Sequence, residues 1–286
     1  MTAPLQGLLE LLDLERIERD IFRGQNRDIG SGRAFGGQVA AQALVAAART
    51  VEGRTAHSLH GYFILPGDLD LPIIYEVDRI RDGRSFTTRR VVAIQKGRAI
   101  FNLSASFQIE EDGVEHQMEM PEVPGPEGLS RELDLIRAEA ERIPERVRAV
   151  YTQDRPIEFR PLDPVDRFDP ERREPQKYVW FRAVDRVPGQ PLCHQAVLAY
   201  ASDYGLLPTA FLPHGLTLLQ PHLQVASLDH ALWFHRPFRV DDWLLYAMDS
   251  PSAHGARGFT RGSIFSREGA LVASVAQEGL MRLHEE

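Results

Sequence analysis

A single cysteine, Cys193, occurs in 286 residues, which excludes an intrachain disulfide and any zinc site built on several thiolates. A reducing compartment, the cytoplasm, is the expectation. Basic excess is missing as well: 33 Lys+Arg face 41 Asp+Glu, a net charge of −8. General nucleic-acid binding needs a basic face to neutralise phosphates, so only a local basic pocket for a small phosphorylated ligand stays open. Long apolar runs are absent too. The longest uncharged apolar stretch, Ala34 to Ala48, holds two Gly and two Gln and falls short of the roughly 20 residues that cross a bilayer. The opening segment has no basic region before its leucines, and Glu10 and Asp13 interrupt them, so neither a signal peptide nor a membrane partner is expected.

Three families of catalytic motif are lacking: no Gly-x-Ser-x-Gly elbow, no His-Glu-x-x-His helix and no Gly-x-x-x-x-Gly-Lys phosphate loop occurs. The near-match Gly30-Ser-Gly32-Arg-Ala-Phe35 to a dinucleotide fingerprint breaks at its sixth position, and no strand precedes it. No cofactor is expected. The ten histidines scatter, and His57, His60, His230 and His235 in strand-like segments read as structural. His230 and His235 are five residues apart and would point to opposite faces of a strand, so no metal is expected. Cys193 reads as a small buried hydrophobe rather than a nucleophile.

What is present is 43% hydrophobic and 26% charged residues, the make-up of a soluble globular chain, with a length that permits one large domain or two smaller ones. The segment from Gly36 to Val51 is rich in alanine, the strongest helix former, and is apolar on nearly every face. Such a helix must be wrapped. Runs near 57–65, 72–81, 85–96 and 98–109, rich in Ile, Val, Phe, Tyr and Thr and separated by glycine turns, predict an antiparallel sheet that wraps it.

The second half repeats the plan, with an apolar segment from His194 followed by runs near 223–236, 242–250, 256–267 and 269–282. Tyr62-Phe63-x-x-Pro66 then Tyr75 matches Trp233-Phe234-x-x-Pro237 then Tyr246, each with nine residues from Pro to Tyr. Phe86 with Phe259 and Gly97 with Gly269 continue the series at offsets of 171 to 173 residues. Five ordered markers at one offset indicate a duplication. The segments divide as 1–110 for an N-terminal repeat, 111–155 for a polar, proline-broken linker with one amphipathic helix beginning near Ser130, and 156–286 for a C-terminal repeat.

Asp203 stands out because Leu198-Ala-Tyr-Ala-Ser-Asp203 puts a carboxylate at the end of an apolar helix, where the macrodipole disfavours an anion and burial without partners is costly. Either it closes the helix before Gly205 or it is kept for chemistry. Ser227 and Gln277, polar residues in apolar strands of the same repeat, are its candidate partners; taken alone, each reads as a surface-facing strand residue.

The segments Phe22-Arg-Gly-Gln, Phe35-Gly-Gly-Gln-Val, Tyr62-Phe-x-x-Pro-Gly-Asp, Arg81-Asp-Gly-x-Ser-Phe, Tyr200-Ala-Ser-Asp203, Asp229-His-x-x-Trp-Phe-His-Arg-Pro and Gln277-Glu-Gly together resemble the acyl-CoA thioesterase II family over nearly the whole chain. The resemblance implies an α+β double hotdog fold, two repeats each of a central helix wrapped by an antiparallel sheet, in a hydrolase of fatty-acid and lipid metabolism. It also implies hydrolysis of acyl-CoA to free acid and CoA without a cofactor, with Asp203, Ser227 and Gln277 as the catalytic set. Thioester hydrolysis needs an oriented water and a stabilised oxyanion. Asp203 would serve as base or orienter, although direct attack by its carboxylate is an alternative. The backbone at Gly36 and Gly37, at a helix start, would meet the oxyanion or substrate. Arg89, Arg90, Arg257 and Arg261, on equivalent strands, are candidates for the CoA phosphates. A hotdog dehydratase is disfavoured because no His is expected on either central helix. An acyl-CoA-binding protein without turnover remains the alternative, and a homo-oligomer, dimer or tetramer, is expected from sheet edges that pair.

Overall fold

The alanine-rich segment forms helix α2, Gly36–Ala48, and all but its first and last residues are buried. It is one of two central helices in the computed structural model, which describes residues 1–30 and 32–284. Ahead of it come α1, Ala3–Leu12, and a short hairpin of β1, Glu15–Glu18, and β2, Ile21–Gly24. Helix α1 turns Leu5, Leu8 and Leu12 into the core, the spacing of one apolar helix face. Then follow β3, Thr55–Phe63, β4, Ile73–Asp82, β5, Phe86–Gln95, and β6, Arg98–Gln108. These match the four expected runs. The buried amides of α2 are satisfied by the hairpin side: Tyr75 donates to Gln42 Oε1 at 2.6 Å, and Gln38 Nε2 donates to Asn26 Oδ1 at 2.8 Å.

The linker region holds two helices rather than one, α3, Glu132–Ala138, and α4, Glu145–Thr152, with a single 3-10 turn between them. Pro144 precedes the second, and its ring is incompatible with one continuous helix. The N-cap of α3 lies one residue beyond Ser130, at Arg131, and makes no side-chain capping bond. The second half then runs β7, Ile157–Pro161, β8, Gln176–Ala183, α5, Pro191–Ser202, a 3-10 segment at Leu207–His214, β9, Leu223–Ser227, β10, Asp229–Phe234, β11, Leu244–His254, β12, Arg257–Ser266, and β13, Leu271–Leu283. The expected run at 223–236 is thus broken at Leu228, whose N–H donates to Glu278 O.

Among the described residues, thirteen strands form one sheet, in the order β1-β2-β4-β5-β6-β3-β10-β13-β12-β11-β8-β7, with β9 also paired to β13. Strands β3 and β10 join the halves, with Tyr62 opposite Asp229 and Ser58 opposite Trp233. The differences 233 − 62 and 229 − 58 are both 171, so the junction is a pseudo-two-fold axis with the sequence markers' own offset. The architecture is therefore the α+β double hotdog. Helices α2 and α5 pack so closely that a Cβ on Gly37 would lie 2.5 Å from the carbonyl oxygen of Tyr200. The start of one helix thus faces the end of the other.

Candidate active site

Asp203 is the residue that closes α5, with φ −80° and ψ −15°, and its side chain is only 6% exposed. Its own helix end repels an anion, but the start of α2 supplies the opposite field. Gly37 N–H donates to Asp203 Oδ2 at 2.8 Å, and Gln277 Nε2, from β13, donates to Asp203 Oδ1 at 2.7 Å. One donor comes from each half of the molecule. A Cβ on Gly36 would stand 2.8 Å from Asp203 Oδ2 and 2.9 Å from the Phe63 ring, so glycine is what lets the helix start rest on the carboxylate.

Behind the carboxylate is a relay of hydrogen bonds that the sequence reading passed over. Gln277 Nε2 also donates to His230 Nδ1 at 3.2 Å, and His230 Nε2 lies 2.9 Å from Ser202 Oγ. Ser202 in turn donates to Ala199 O at 3.0 Å. With Nδ1 accepting, the network assigns the proton to Nε2 of a neutral imidazole. Burial pulls the His230 imidazole below its ordinary value, against Asp203 and Asp229, which draw it upward. The signal for His230 was present in Asp229-His230, but a histidine in an apolar strand is read as structural unless its neighbour in space is known.

Asp203, Gln277 and Ser227 line one cavity of about 860 Å³, whose wall includes Gly36, Phe63 and Leu228. Ser227 sits opposite Gly279 in the β9–β13 pairing; its hydroxyl makes no hydrogen bond to Asp203 among the described residues. Among the described residues, Gln277 Oε1 is buried without a hydrogen-bond partner.

The four strand arginines are not brought to this cavity. Arg89 is 1% exposed and donates to Thr50 Oγ1 at 2.8 Å, to Arg81 O at 3.1 Å and to Asp82 Oδ1 at 2.6 Å. Arg90 pairs with Asp78 at 2.9 Å, Arg257 with Glu278 at 2.9 Å and Arg261 with Asp249 at 2.9 Å. Strand alternation explains this: Arg89 points inward under the end of α2, while Arg90, Arg257 and Arg261 point to solvent with a carboxylate across the strand. Cys193 is partly buried, and burial pushes its thiol up, which fits the small-hydrophobe reading. Among the described residues, no group of three His, Cys, Asp or Glu side chains is placed to hold a metal, and no helix is long and apolar enough to cross a membrane.

Two helix-in-sheet halves related by a pseudo-two-fold axis, with a buried carboxylate between them, define a double hotdog protein. Residues 147–280 match the family model described as acyl-CoA thioesterase, and residues 25–108 match the acyl-CoA thioesterase N-terminal domain. The chain is 42% identical to acyl-CoA thioesterase 2 of Haemophilus influenzae over 286 residues, covering all of both chains. It is also 42% identical to human acyl-coenzyme A thioesterase 8, over 96% of this chain and 88% of that one. A solved structure of an acyl-CoA thioesterase II from Mycobacterium marinum superposes with a TM-score of 0.80 at 43% identity, covering 97% of this chain and 99% of that one. The chain belongs to the acyl-CoA thioesterase family, and its enzyme class is thioester hydrolase.

Proposed function

We propose that the enzyme hydrolyses fatty acyl-CoA to free fatty acid and CoA through a water activated by Asp203, with Ser227 and Gln277 positioning it. The observation that carries this reading is the Asp203 carboxylate in the cavity wall, held by Gly37 N–H on one oxygen and Gln277 on the other. Each oxygen keeps a lone pair free, so the carboxylate can accept a proton from water while its direction stays fixed. Gln277 fixes the carboxylate through Nε2, and Ser227, in the same cavity wall, lends a hydroxyl that can donate to that water or accept from it.

As water attacks the thioester carbonyl, its proton passes to Asp203 and negative charge builds on the carbonyl oxygen. Gly36 is the first residue of α2, and an amide there has no intrahelical acceptor; with the helix field it suits the oxyanion. Collapse of the tetrahedral intermediate breaks the C–S bond, and the proton held on Asp203 neutralises the leaving thiolate. No cofactor enters the balance. The same proposal places the repeats at 1–110 and 156–286 with the linker at 111–155, and places the enzyme in the cytoplasm as a homo-oligomer, dimer or tetramer.

The test is thiol release from acyl-CoAs of graded length by wild type and Asp203→Asn. Loss of a general base lowers kcat by roughly 10²–10⁴-fold while calorimetry still detects acyl-CoA binding. Binding without thiol release by the wild type would identify an acyl-CoA-binding protein instead.

A further inference from the structure

The hydrogen-bond chain behind Asp203 ends on a backbone carbonyl, and that end fixes the direction of every bond in it. A carbonyl can only accept. Ser202 Oγ has one proton, which goes to Ala199 O at 3.0 Å, so toward the imidazole its oxygen accepts. His230 Nε2, 2.9 Å away, is therefore the donor, and Nδ1 of the neutral ring keeps its lone pair. Gln277 Nε2 meets that lone pair at 3.2 Å with one N–H and Asp203 Oδ1 at 2.7 Å with the other. Turned over, the amide would set its oxygen against both the carboxylate and the ring nitrogen.

The first half of the molecule shows that the fold does not require these groups. Helix α2 ends in Ala48 and is closed by Arg49 where α5 ends in Ser202 and is closed by Asp203. Leu59 of β3 faces Ala105 of β6; at the matching place, one step beyond the Ala231–Ala276 pair, His230 of β10 meets Gln277 of β13. Ala48, Leu59 and Ala105 are apolar, and Arg49 stands where the carboxylate would. The half without the carboxylate thus has no counterpart of the relay, and the half with it has every member. An imidazole, a hydroxyl and a carboxamide inside a sheet that also closes on alanine and leucine cost stability unless they are paired. The relay therefore serves the site and not the scaffold.

We propose that His230 is a positioning residue for the hydrolysis: anchored through Ser202 on the Ala199 carbonyl, its Nδ1 holds the Gln277 amide with Nε2 toward Asp203 and so fixes the direction in which the carboxylate meets the attacking water. This rests on the reading of Asp203 as the hydrolytic centre. Protonation of Nδ1 would set N–H against N–H and turn the Gln277 donor away from Asp203, so the relay works with the ring neutral. Burial keeps it neutral, against the pull of Asp203 at the end of α5 and of Asp229 on its own strand. From the other elements around it, β3 sets Gly61 opposite, β13 brings the uncharged Gln277, and Tyr246 of β11 gives its hydroxyl proton to Ser202 O at 2.8 Å.

In the full-length enzyme, kcat and KM for thiol release from the best substrate of the graded acyl-CoA series are measured over the range from about pH 5 to 8 that brackets an imidazole. His230→Leu, which copies the first half, lowers kcat roughly 10- to 100-fold, the effect of a misplaced reacting group, while KM stays near wild type. His230→Asn, which keeps an acceptor in the place of Nδ1, restores most of kcat and moves to lower pH the fall that the wild type shows below about 6.5. Ser202→Ala lets the ring proton shift to Nδ1 and lowers kcat by less than His230→Leu, and the two changes together cost no more than His230→Leu alone, because both act through one chain. A wild-type kcat in His230→Leu overturns the proposal, as does a His230→Asn enzyme as slow as His230→Leu, which would leave the ring a packing role. Should His230→Leu fail to fold, an unshifted pH profile in His230→Asn with an undiminished rate in Ser202→Ala overturns it. Thiol release by Asp203→Asn at the wild-type rate counts against the hydrolytic reading itself; loss in Asp203→Asn with none in His230→Leu counts against this one alone.

Discussion

His230 is held neutral by its surroundings: it accepts from Gln277, which donates to Asp203, and its other nitrogen meets Ser202. Its value in the folded chain is lowered from 6.5 by burial, whereas in the unfolded chain it titrates at the ordinary value. The unfolded state therefore takes up a proton first as pH falls through about 6.5, and stability is lost below that point at up to about 1.4 kcal/mol per pH unit. Urea midpoints at pH 7.5, 6.0 and 5.0 should fall more steeply with acid for wild type than for His230→Asn; parallel slopes would show that His230 is not the group responsible. Of this cluster, Asp203 was legible in sequence because an anion at a helix end conflicts with the dipole, whereas His230 was not, because nothing in its own strand departs from an ordinary core pattern.

Elements were read well where their periodicity is self-contained. Helix α2 and strands β3 to β6 follow from alanine content, β-branched runs and glycine turns, and they fall within a few residues of expectation. The short strands β1, β2 and β7 lack enough residues for a pattern, and β8 was hidden between proline-rich segments. The arginines expected at the CoA phosphates show the same limit: a strand assignment leaves open which face reaches the site. Arg89 became an internal brace of the first half, joining β5 to Thr50 at the end of α2 and to the β4 residues Arg81 and Asp82. Arg89→Met leaves the Arg81 carbonyl and the Thr50 groups without a donor, at about 2–3 kcal/mol. Chemical denaturation should register that loss while KM for acyl-CoA stays at the wild-type value; a raised KM with unchanged stability would return Arg89 to the substrate.

Across the whole molecule the pseudo-two-fold axis asks whether the first half carries a site of its own. Ser104 pairs with His60 as Ala276 pairs with Ala231, so one position along, Ala105 occupies the place of Gln277 and Leu59 that of His230. Arg49 closes α2 where Asp203 closes α5, and Pro191, which has no N–H, begins α5 where Gly36 begins α2. The first half thus has neither the carboxylate nor the helix-start amide assigned to the oxyanion, and one equivalent of a non-hydrolysable acyl-CoA analogue should saturate each chain in calorimetry; two would reveal a second site. The duplication, the wrapped helices and the isolated aspartate were determined by the sequence alone, because hydrophobic period and repeat spacing are properties of the chain read in order. The meeting of Asp203 with Gly37 and Gln277 and the neutral state of His230 were decided only by the tertiary structure. Each depends on the distance between elements remote in sequence, and on how far their packing strips water from charge.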